Sequence, residues 1–452
     1  AAVYFNPIAG HCAAGDISEH CSIFTEYGFY KLSSFFGSEK KICSNIDYSF
    51  HSLYLSIIYH NKEKNMFYHT WPKEEIDRRL ENCRSKMKAA GLFGMVITDE
   101  NNVTYFTGFR THAPWTTYTR TAWYFLPVKE KPVLLLQNMM APDAMLRTQN
   151  CEIQSYPGLY GTDLETVKNI MDSHGMGEGN VGWELGYEQR IGIPYLEYES
   201  LRRMMDQCQF VDGSDILWSL RTVKSKIEID CIRKACDATS FALDKVFNTM
   251  HEGMKETQIV KNFFSYMMEA DADKPGFALI ASEKGHYDRI SNIGSDRRIK
   301  KGDLVWVDGG ALYNGYWADF GRAGIVGPVD QERQEYQACV HDVTMKAIKT
   351  IKPGIAASDL AGACIDALAE YGFDPSSFDC GRLGHGMGIM STEPPSITQQ
   401  DETVLREGMI INIEPGFVKE NGVFNIEENV VVTKDGAKIL SGAKRTLYEI
   451  KC

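Results

Sequence analysis

Two aspartates, Asp308 and Asp319, stand in the stretch LVWVDGGALYNGYWADFGR that runs from Leu304 to Arg322. The apolar run Leu304, Val305, Trp306, Val307 reads as a buried strand, and Asn314-Gly315 is the dipeptide that favours a two-residue type I′ hairpin turn. With that turn Tyr313 pairs with Tyr316, and counting back sets Gly310 opposite Asp319. Side chains alternate along a strand, so Asp308 shares a face with Gly310 and becomes a diagonal neighbour of Asp319, about 7–8 Å away. Gly310, having no side chain, predicts open space between them. Two acids so placed repel one another unless a cation lies between them.

Three later segments carry further groups of metal-binding type. Gly384-His385-Gly386-Met387-Gly388 wraps an imidazole in glycines, which lets backbone or ligand come close. The strand pattern Met409–Ile413 ends on an acid, Glu414, stopped by Pro415-Gly416. Val423–Val432 reads as one strand with Glu427 and Glu428 embedded in an apolar run, and a buried carboxylate there requires a cation or a donor. Four carboxylates and one imidazole at strand ends and in a glycine loop suit a pair of divalent transition metals. Such a pair activates water and polarises the bond to be cut.

The elements that must position these groups follow from periodicity. Trp71-Pro72-Lys73-Glu74-Glu75 opens a helix whose period runs through Ile76, Leu80, Cys83, Met87 and Leu92. Strands are expected at Gly94–Thr98, Ala122–Val128, Pro132–Gln137 and Asn180–Glu184, a loop and strand at Asn102–Phe109, and a helix at Leu164–Ser173. This alternation describes an α/β domain ending near Asp212. A long helix follows Trp218–Lys226 with Ile229, Ile232, Ala235, Phe241, Leu243 and Val246 as its apolar face, and helices are expected at Thr257–Ala270 and Gln331–Ile351.

Composition sets the outer bounds. The chain has 452 residues, 44% apolar and 24% charged, with a formal charge of −12 and no basic block. That balance argues against nucleic acid or an anionic membrane surface as partner and favours small-molecule or peptide chemistry. No apolar run is long enough to span a bilayer. The opening residues show no basic region followed by an apolar one, so no signal peptide is expected. Twelve scattered cysteines without a CxxC pair read as free thiols of a reduced cytoplasm. Residues 1–65, rich in aromatics, Ser, His and Cys, have no assigned role.

Residues 276–433 resemble the pita-bread metallohydrolases, the superfamily of prolidase, aminopeptidase P, methionine aminopeptidase and creatinase. The resemblance rests on GDLVWVDGGALYNGYWADFGR, GHGMG, TEPPS, EGMIINIEPG and NIEENVVVT. NVTYFTGF and LRTVKSKIEID are similar to landmarks of the prolidase and creatinase branch, whose smaller N-terminal domain precedes the catalytic one. The implied fold is α+β: a leader of residues 1–65, a creatinase-like α/β domain at 66–217 and a pita-bread domain at 218–452. The resemblance implies two divalent ions (Mn, Co, Fe or Zn), with Asp308 on one, His385 and Glu414 on the other, and Asp319 and Glu427 bridging. It selects Glu427 over Glu428. Pro415, Gly416 and Arg322 also match.

Two departures bear on chemistry. Prolidases carry a catalytic histidine seventeen residues before the first aspartate, where this chain has Ser291, and another before the Glu-x-Pro, where it has Thr392. His286, five residues before Ser291, is the candidate replacement. All five ligands are present, which argues against creatinase itself. Related lyases carry an extra acid where this chain has Trp306. His112, Trp115, Tyr118, Arg120 and Trp123 form an aromatic cluster with an arginine, suited to a cationic or carboxylate-bearing molecule. In related dimers this region reaches the neighbouring subunit's site.

The sequence therefore predicts a homodimeric, cytoplasmic metal-dependent hydrolase. It attacks an amide C–N bond of a dipeptide or small amide, with Glu393, Glu414 and His385 as catalytic candidates and Ser291, Thr392, Arg322, His286, Trp115 and Arg120 as substrate-binding candidates. The alternative is a lyase or hydrolase of a small zwitterion such as dimethylsulfoniopropionate, ectoine or a creatine-like amidine. A non-catalytic binding module ranks third.

Overall fold

A computed structural model describes residues 71–110, 120–159, 161–373 and 381–452. Its elements run α1 (Lys73–Ala89), β1 (Gly94–Ile97), α2 (Glu100–Thr107), β2 (Trp123–Pro127), β3 (Val133–Gln137), α3 (Ala141–Arg147) and β4 (Glu152–Tyr156). Then come α4 (Leu164–Ser173), β5 (Gly179–Trp183), α5 (Tyr195–Met204), β6 (Cys208–Asp212) and α6 (Ser214–Arg221). The six strands form one mixed sheet, ordered β4-β3-β2-β1-β5-β6.

The Asn102–Phe109 segment is a helix rather than a loop and strand. Its Val, Thr, Tyr and Phe residues favour a strand, but Asp99 caps the helix by accepting from the N–H groups of Asn101 and Asn102, and Gly108 ends it at φ 71°. Caps at both ends and burial along the helix override side-chain propensity.

The second part begins with α7 (Lys226–Thr249), which starts at a reciprocal Ser225/Glu228 capping box. Ile232, Ala235, Leu243 and Val246 are buried along it, whereas Phe241 is exposed, because it falls outside the buried stripe. Next come α8 (Glu256–Glu269), β7 (Lys274–Ala281), β8 (Leu304–Tyr313), β9 (Tyr316–Trp317) and β10 (Arg322–Val326). They are followed by α9 (Gln331–Thr350), α10 (Ala357–Ala369), β11 (Gly384–Gly386), β12 (Glu393–Ser396) and β13 (Ile410–Ile413). The chain closes with β14 (Gly416–Lys419), β15 (Gly422–Asn425), β16 (Glu428–Thr433), β17 (Gly436–Ile439) and β18 (Tyr448–Ile450). Two sheets result, β18-β10-β8-β7 with β9 on β8, and β12-β11-β13-β16-β17, beside the small β14-β15 pair.

The hairpin forms at the expected turn. Asn314 and Gly315 both have positive φ, 50° and 83°, and Tyr313 pairs with Tyr316. Val307 pairs with Arg322 in the same offset, so no residue is inserted between β9 and β10. The strand pairing lapses between Trp317 and Arg322, and Asp319 lies in that gap. Gly310 does not leave open space, as the sequence had suggested: a Cβ there would sit 1.6 Å from the Ala318 carbonyl oxygen. The missing side chain lets two backbones touch and brings the return strand in close.

Val423–Val432 is likewise not one strand. The chain leaves the β14-β15 pair after Asn425 and joins β13 and β17 from Glu428 onward, so Ile426 and Glu427 turn between two sheets. Arg322 Nη1 fixes the break by donating to the Glu427 carbonyl at 2.8 Å.

A buried polar brace joins the six-stranded unit to the second part. Arg221 on α6 donates to Asn102 Oδ1 at 2.7 Å and to Glu393 Oε1 at 2.6 Å, while Lys224 Nζ meets Glu393 Oε2 at 3.1 Å. Glu393 Oε1 also accepts the N–H groups of Ile389 and Met390, at 3.1 and 3.2 Å, and so holds the chain that follows the glycine loop. Burial by itself would raise the Glu393 carboxyl, but the charges of Lys224 and Arg221 outweigh it and hold it at about 2.

Two predictions follow from this packing. Replacing Gly310 with Ala forces β8 and the return strand apart and is expected to lower unfolding stability by about 3 kcal/mol or more, at the upper end of overpacking costs; urea denaturation measures it. Glu393→Gln leaves Arg221 and Lys224 buried without their counter-charge, at a cost of about 3–5 kcal/mol near neutral pH. Because the folded Glu393 titrates at about 2, below its ordinary 4.5, its contribution is present above 4.5 and is lost as pH falls toward 2. The gap between wild type and Glu393→Gln should therefore narrow over that window; a gap that widened on acidification would contradict the brace.

Candidate metal centre

Five side chains converge where the two sheets face each other. Asp308 projects from β8, Asp319 from the gap after β9, His385 from β11, Glu414 from the end of β13 and Glu427 from the break before β16. They line one cavity of about 280 Å³ together with Phe277, Leu279, Ile290, Trp306, Arg382, Ser391 and Thr392. Single ligand atoms of Asp319, His385 and Glu427 all lie within 4.8 Å of one another. His385 Nε2 is 3.6 Å from Asp319 Oδ2 and 3.9 Å from Glu414 Oε1.

The imidazole is set up as a ligand. Its Nδ1–H donates to the Gly386 carbonyl at 2.9 Å, which leaves the Nε2 lone pair facing the acids. Burial and then the Arg382 charge push its titration down to about 3, so the ring is neutral. Asn412 stands opposite His385 in the β11-β13 register and reaches three groups at once. Its Nδ2 lies 2.5 Å from Glu427 Oε1, 3.2 Å from the Asp319 carbonyl and 3.3 Å from His385 Nε2. Asn429 grips Asp319 from behind, accepting its N–H at 3.0 Å and donating to its carbonyl at 2.6 Å.

The acids are strained electrostatically. Burial first, then the neighbouring carboxylates, push Asp308 and Asp319 up from their ordinary values and Glu414 up to about 8, while Glu427 is raised by burial against the opposing pull of Asn412 and Asp308. Asp308 and Glu427 bear on one another directly, the pair pushing the Asp308 carboxyl up and the Glu427 carboxyl down. Asp308 Oδ1 is buried with no hydrogen-bond partner among the described residues. An orphaned carboxylate oxygen, an imidazole lone pair turned toward the acids and four carboxyls in one cavity fit divalent cations, whose charge would offset their repulsion.

The structure also separates neighbours that the residue pattern leaves equivalent. Glu428 points away from the cavity and is matched by Arg322 Nη2 at 2.7 Å, Arg445 Nε at 2.8 Å and the Ser441 hydroxyl. Glu427 forms no ion pair among the described residues; its Oε1 meets Asn412 Nδ2 at 2.5 Å and it lines the cavity. Of the two acids considered as proton carriers, Glu414 lines the cavity and Glu393 does not, since both its oxygens are held by Arg221 and Lys224. Arg322 is not a substrate contact either: it is buried against Glu428 and the carbonyls of Gly321, Glu427 and Ala443.

Thr392 lines the cavity, but Ser291 and His286 are exposed and do not, although Ile290 does. The loop therefore presents an apolar side chain to the site and turns its polar ones outward. Arg120 is half-buried, acts on the Tyr156 hydroxyl and is not part of this lining. Trp115, with His112 and Tyr118, lies outside the described residues. Sequence reasoning missed Arg382, whose Nε is 3.9 Å from Glu414 Oε1 and whose Nη2 donates to Thr392 Oγ1 at 3.2 Å. A cation two residues before the glycine loop was the available signal. It also missed Asn412, a lone amide among isoleucines in IINIEP.

Comparison with known proteins agrees with this arrangement. Residues 230–434 match Metallopeptidase family M24, and residues 79–223 match the Creatinase/Prolidase N-terminal domain. A protein named Xaa-Pro dipeptidase from Pyrococcus horikoshii is 35% identical over 264 residues, covering 58% of this chain and 74% of that relative. The crystal structure of the prolidase from Pyrococcus horikoshii superposes with a TM-score of 0.71 at 28% identity, over 81% of this chain and 99% of that one. The prolidase from Pyrococcus furiosus gives a TM-score of 0.68 at 27% identity, over 80% and 99%. With the cluster of acids and imidazole set between two sheets, and an N-terminal unit of matching kind before it, the chain belongs to metallopeptidase family M24.

Proposed function

We propose that this protein is a divalent-metal-dependent hydrolase that cleaves the amide bond of Xaa-Pro-type dipeptides or similarly small amides. The observation that carries this reading is the buried set of four carboxylates and one neutral imidazole in a single cavity. Asp308 would hold one ion, His385 and Glu414 the other, and Asp319 and Glu427 both. Bound divalent ions supply Lewis acidity and a nucleophilic water at neutral pH. Manganese, cobalt, iron and zinc all suit this mixture of oxygen donors and one nitrogen.

The chain's own residues supply the rest. Asn412 fixes Glu427 and His385, Asn429 fixes Asp319, and Phe277, Leu279, Ile290 and Trp306 supply the apolar part of the wall. At about 280 Å³ the cavity falls just below the roughly 300–1,000 Å³ of typical ligand sites, which suits a small substrate. The relatives named Xaa-Pro dipeptidase support a dipeptide. Free cysteines throughout the described residues support a reduced compartment such as the cytoplasm, and the family resemblance supports a homodimer. No helix among the described residues is long and apolar enough to cross a membrane.

One observation favours a second reading, cleavage of a small zwitterion by hydrolysis or elimination. Ser291 and Thr392 stand where the peptidases carry histidines, and His385 is the only imidazole among the described residues that line the cavity.

The test removes metal with a chelator, restores Mn, Co, Fe or Zn singly, and identifies products from Gly-Pro-type dipeptides, amidines, ectoine-like amides and sulfonium acids. The metal-free protein should be inactive, and reloading should restore dipeptide cleavage. Asn412→Ala should weaken metal binding about 10–100-fold, as expected for a residue that orients ligands. Dipeptide cleavage unchanged by Asp319→Ala would sink the metal reading, and turnover confined to sulfonium acids would install the lyase.

A further inference from the structure

Glu427 is held by Asn412, the Asp319 backbone by Asn429 and the His385 ring by the Gly386 carbonyl, but Asp308 lacks comparable support. Its Oδ1 is buried without a hydrogen-bond partner among the described residues, and so is a nitrogen on the same cavity wall, Nε1 of Trp306. An orphaned acceptor and an orphaned donor thus stand two residues apart on β8. Alternation along the strand puts both side chains on one face. Trp306 is 2% exposed and pairs in register with Ala281 on β7 and Ala323 on β10, whose small side chains leave room for an indole. Gly321 then brings donor and acceptor into one neighbourhood. A Cβ there would lie 3.0 Å from Trp306 Nε1 and 3.2 Å from Asp308 Cβ, so a single methyl group would touch both.

We propose that Trp306 is a positioning residue for the metal centre, its indole N–H donating to the Asp308 carboxylate when a divalent ion is bound. Ligating carboxylates are themselves oriented by hydrogen bonds from outside the ligand set, and these bonds tune how tightly the ion is held. An indole is suited to this task because its nitrogen only donates. It has no lone pair to compete for the ion, as an imidazole or a carboxylate would. It also brings no positive charge to compete with the ion for Asp308, as a lysine or an arginine would. A buried N–H without an acceptor is unfavourable, and a carboxylate is a strong acceptor, so both orphans are satisfied by one bond. The assignment rests on the metal reading of this cavity and adds a sixth residue on which its affinity depends.

The test loads the metal-free full chain with zinc, which is diamagnetic. Zinc affinity is measured by competition with a chelator, and the indole N–H groups are followed by NMR. Trp306→Phe identifies the Trp306 resonance by its loss. In wild type that resonance should move downfield on zinc loading, as the N–H gains a charged acceptor. Trp306→Phe should weaken zinc binding about 10–100-fold. Trp306→benzothienylalanine, which keeps the fused ring and replaces the N–H with sulfur, should weaken it to a similar extent and so separates loss of the donor from loss of packing. Zinc affinity unchanged in the benzothienyl variant would overturn the proposal and leave the metal reading standing, as would an indole resonance that stays in place on loading. Unchanged zinc affinity with a raised KM for a Gly-Pro-type dipeptide would assign the donor to substrate and overturn it likewise. A wild-type chain that binds none of Mn, Co, Fe or Zn would overturn both.

Discussion

Four carboxylic acids buried around one neutral imidazole cannot all ionise without a steep electrostatic cost. Each added charge raises the cost of the next, and the upward displacement of Asp308, Asp319 and Glu414 by their neighbouring carboxylates records that conflict. A fold that relaxed freely would turn these acids to solvent. Here the relaxation is blocked by specific backbone holds. Asn429 clamps the Asp319 peptide from both sides, Arg322 ties down the Glu427 carbonyl, and Glu393 fixes the chain after the glycine loop. The elements around the site keep like charges together until a cation relieves them, so metal affinity is built from scaffold rigidity as much as from ligand identity.

How much of this was legible depends on whether the information was local. The Asn314-Gly315 turn sets its own backbone geometry, so the hairpin and its register could be counted from the sequence. The face that Asp308 and Asp319 share followed from that count. The same local logic failed at Asn102–Phe109, where residues that prefer strands are held helical by the Asp99 cap and the Gly108 stop. It failed again at Glu427. An apolar run with an acid inside looks continuous, but the break arises because the residues before it pair with β14 and those after it with β13. No window of sequence contains that choice of partner.

Site residues divide along the same line. Acids at strand ends and a histidine among glycines carry their chemistry on their face. Arg382 and Asn412 acquire theirs only when distant segments meet: Asn412 lies opposite His385 across 27 positions of chain, and Arg382 matters because Glu414 and Thr392 come to it. Arg322 and Glu393 show the reverse error. Both sit inside recognisable motifs and read as groups for substrate or protons, yet each is consumed by buried partners that the motif does not mention. A charged side chain nearly free of solvent contact is, by itself, equally consistent with catalysis and with bracing.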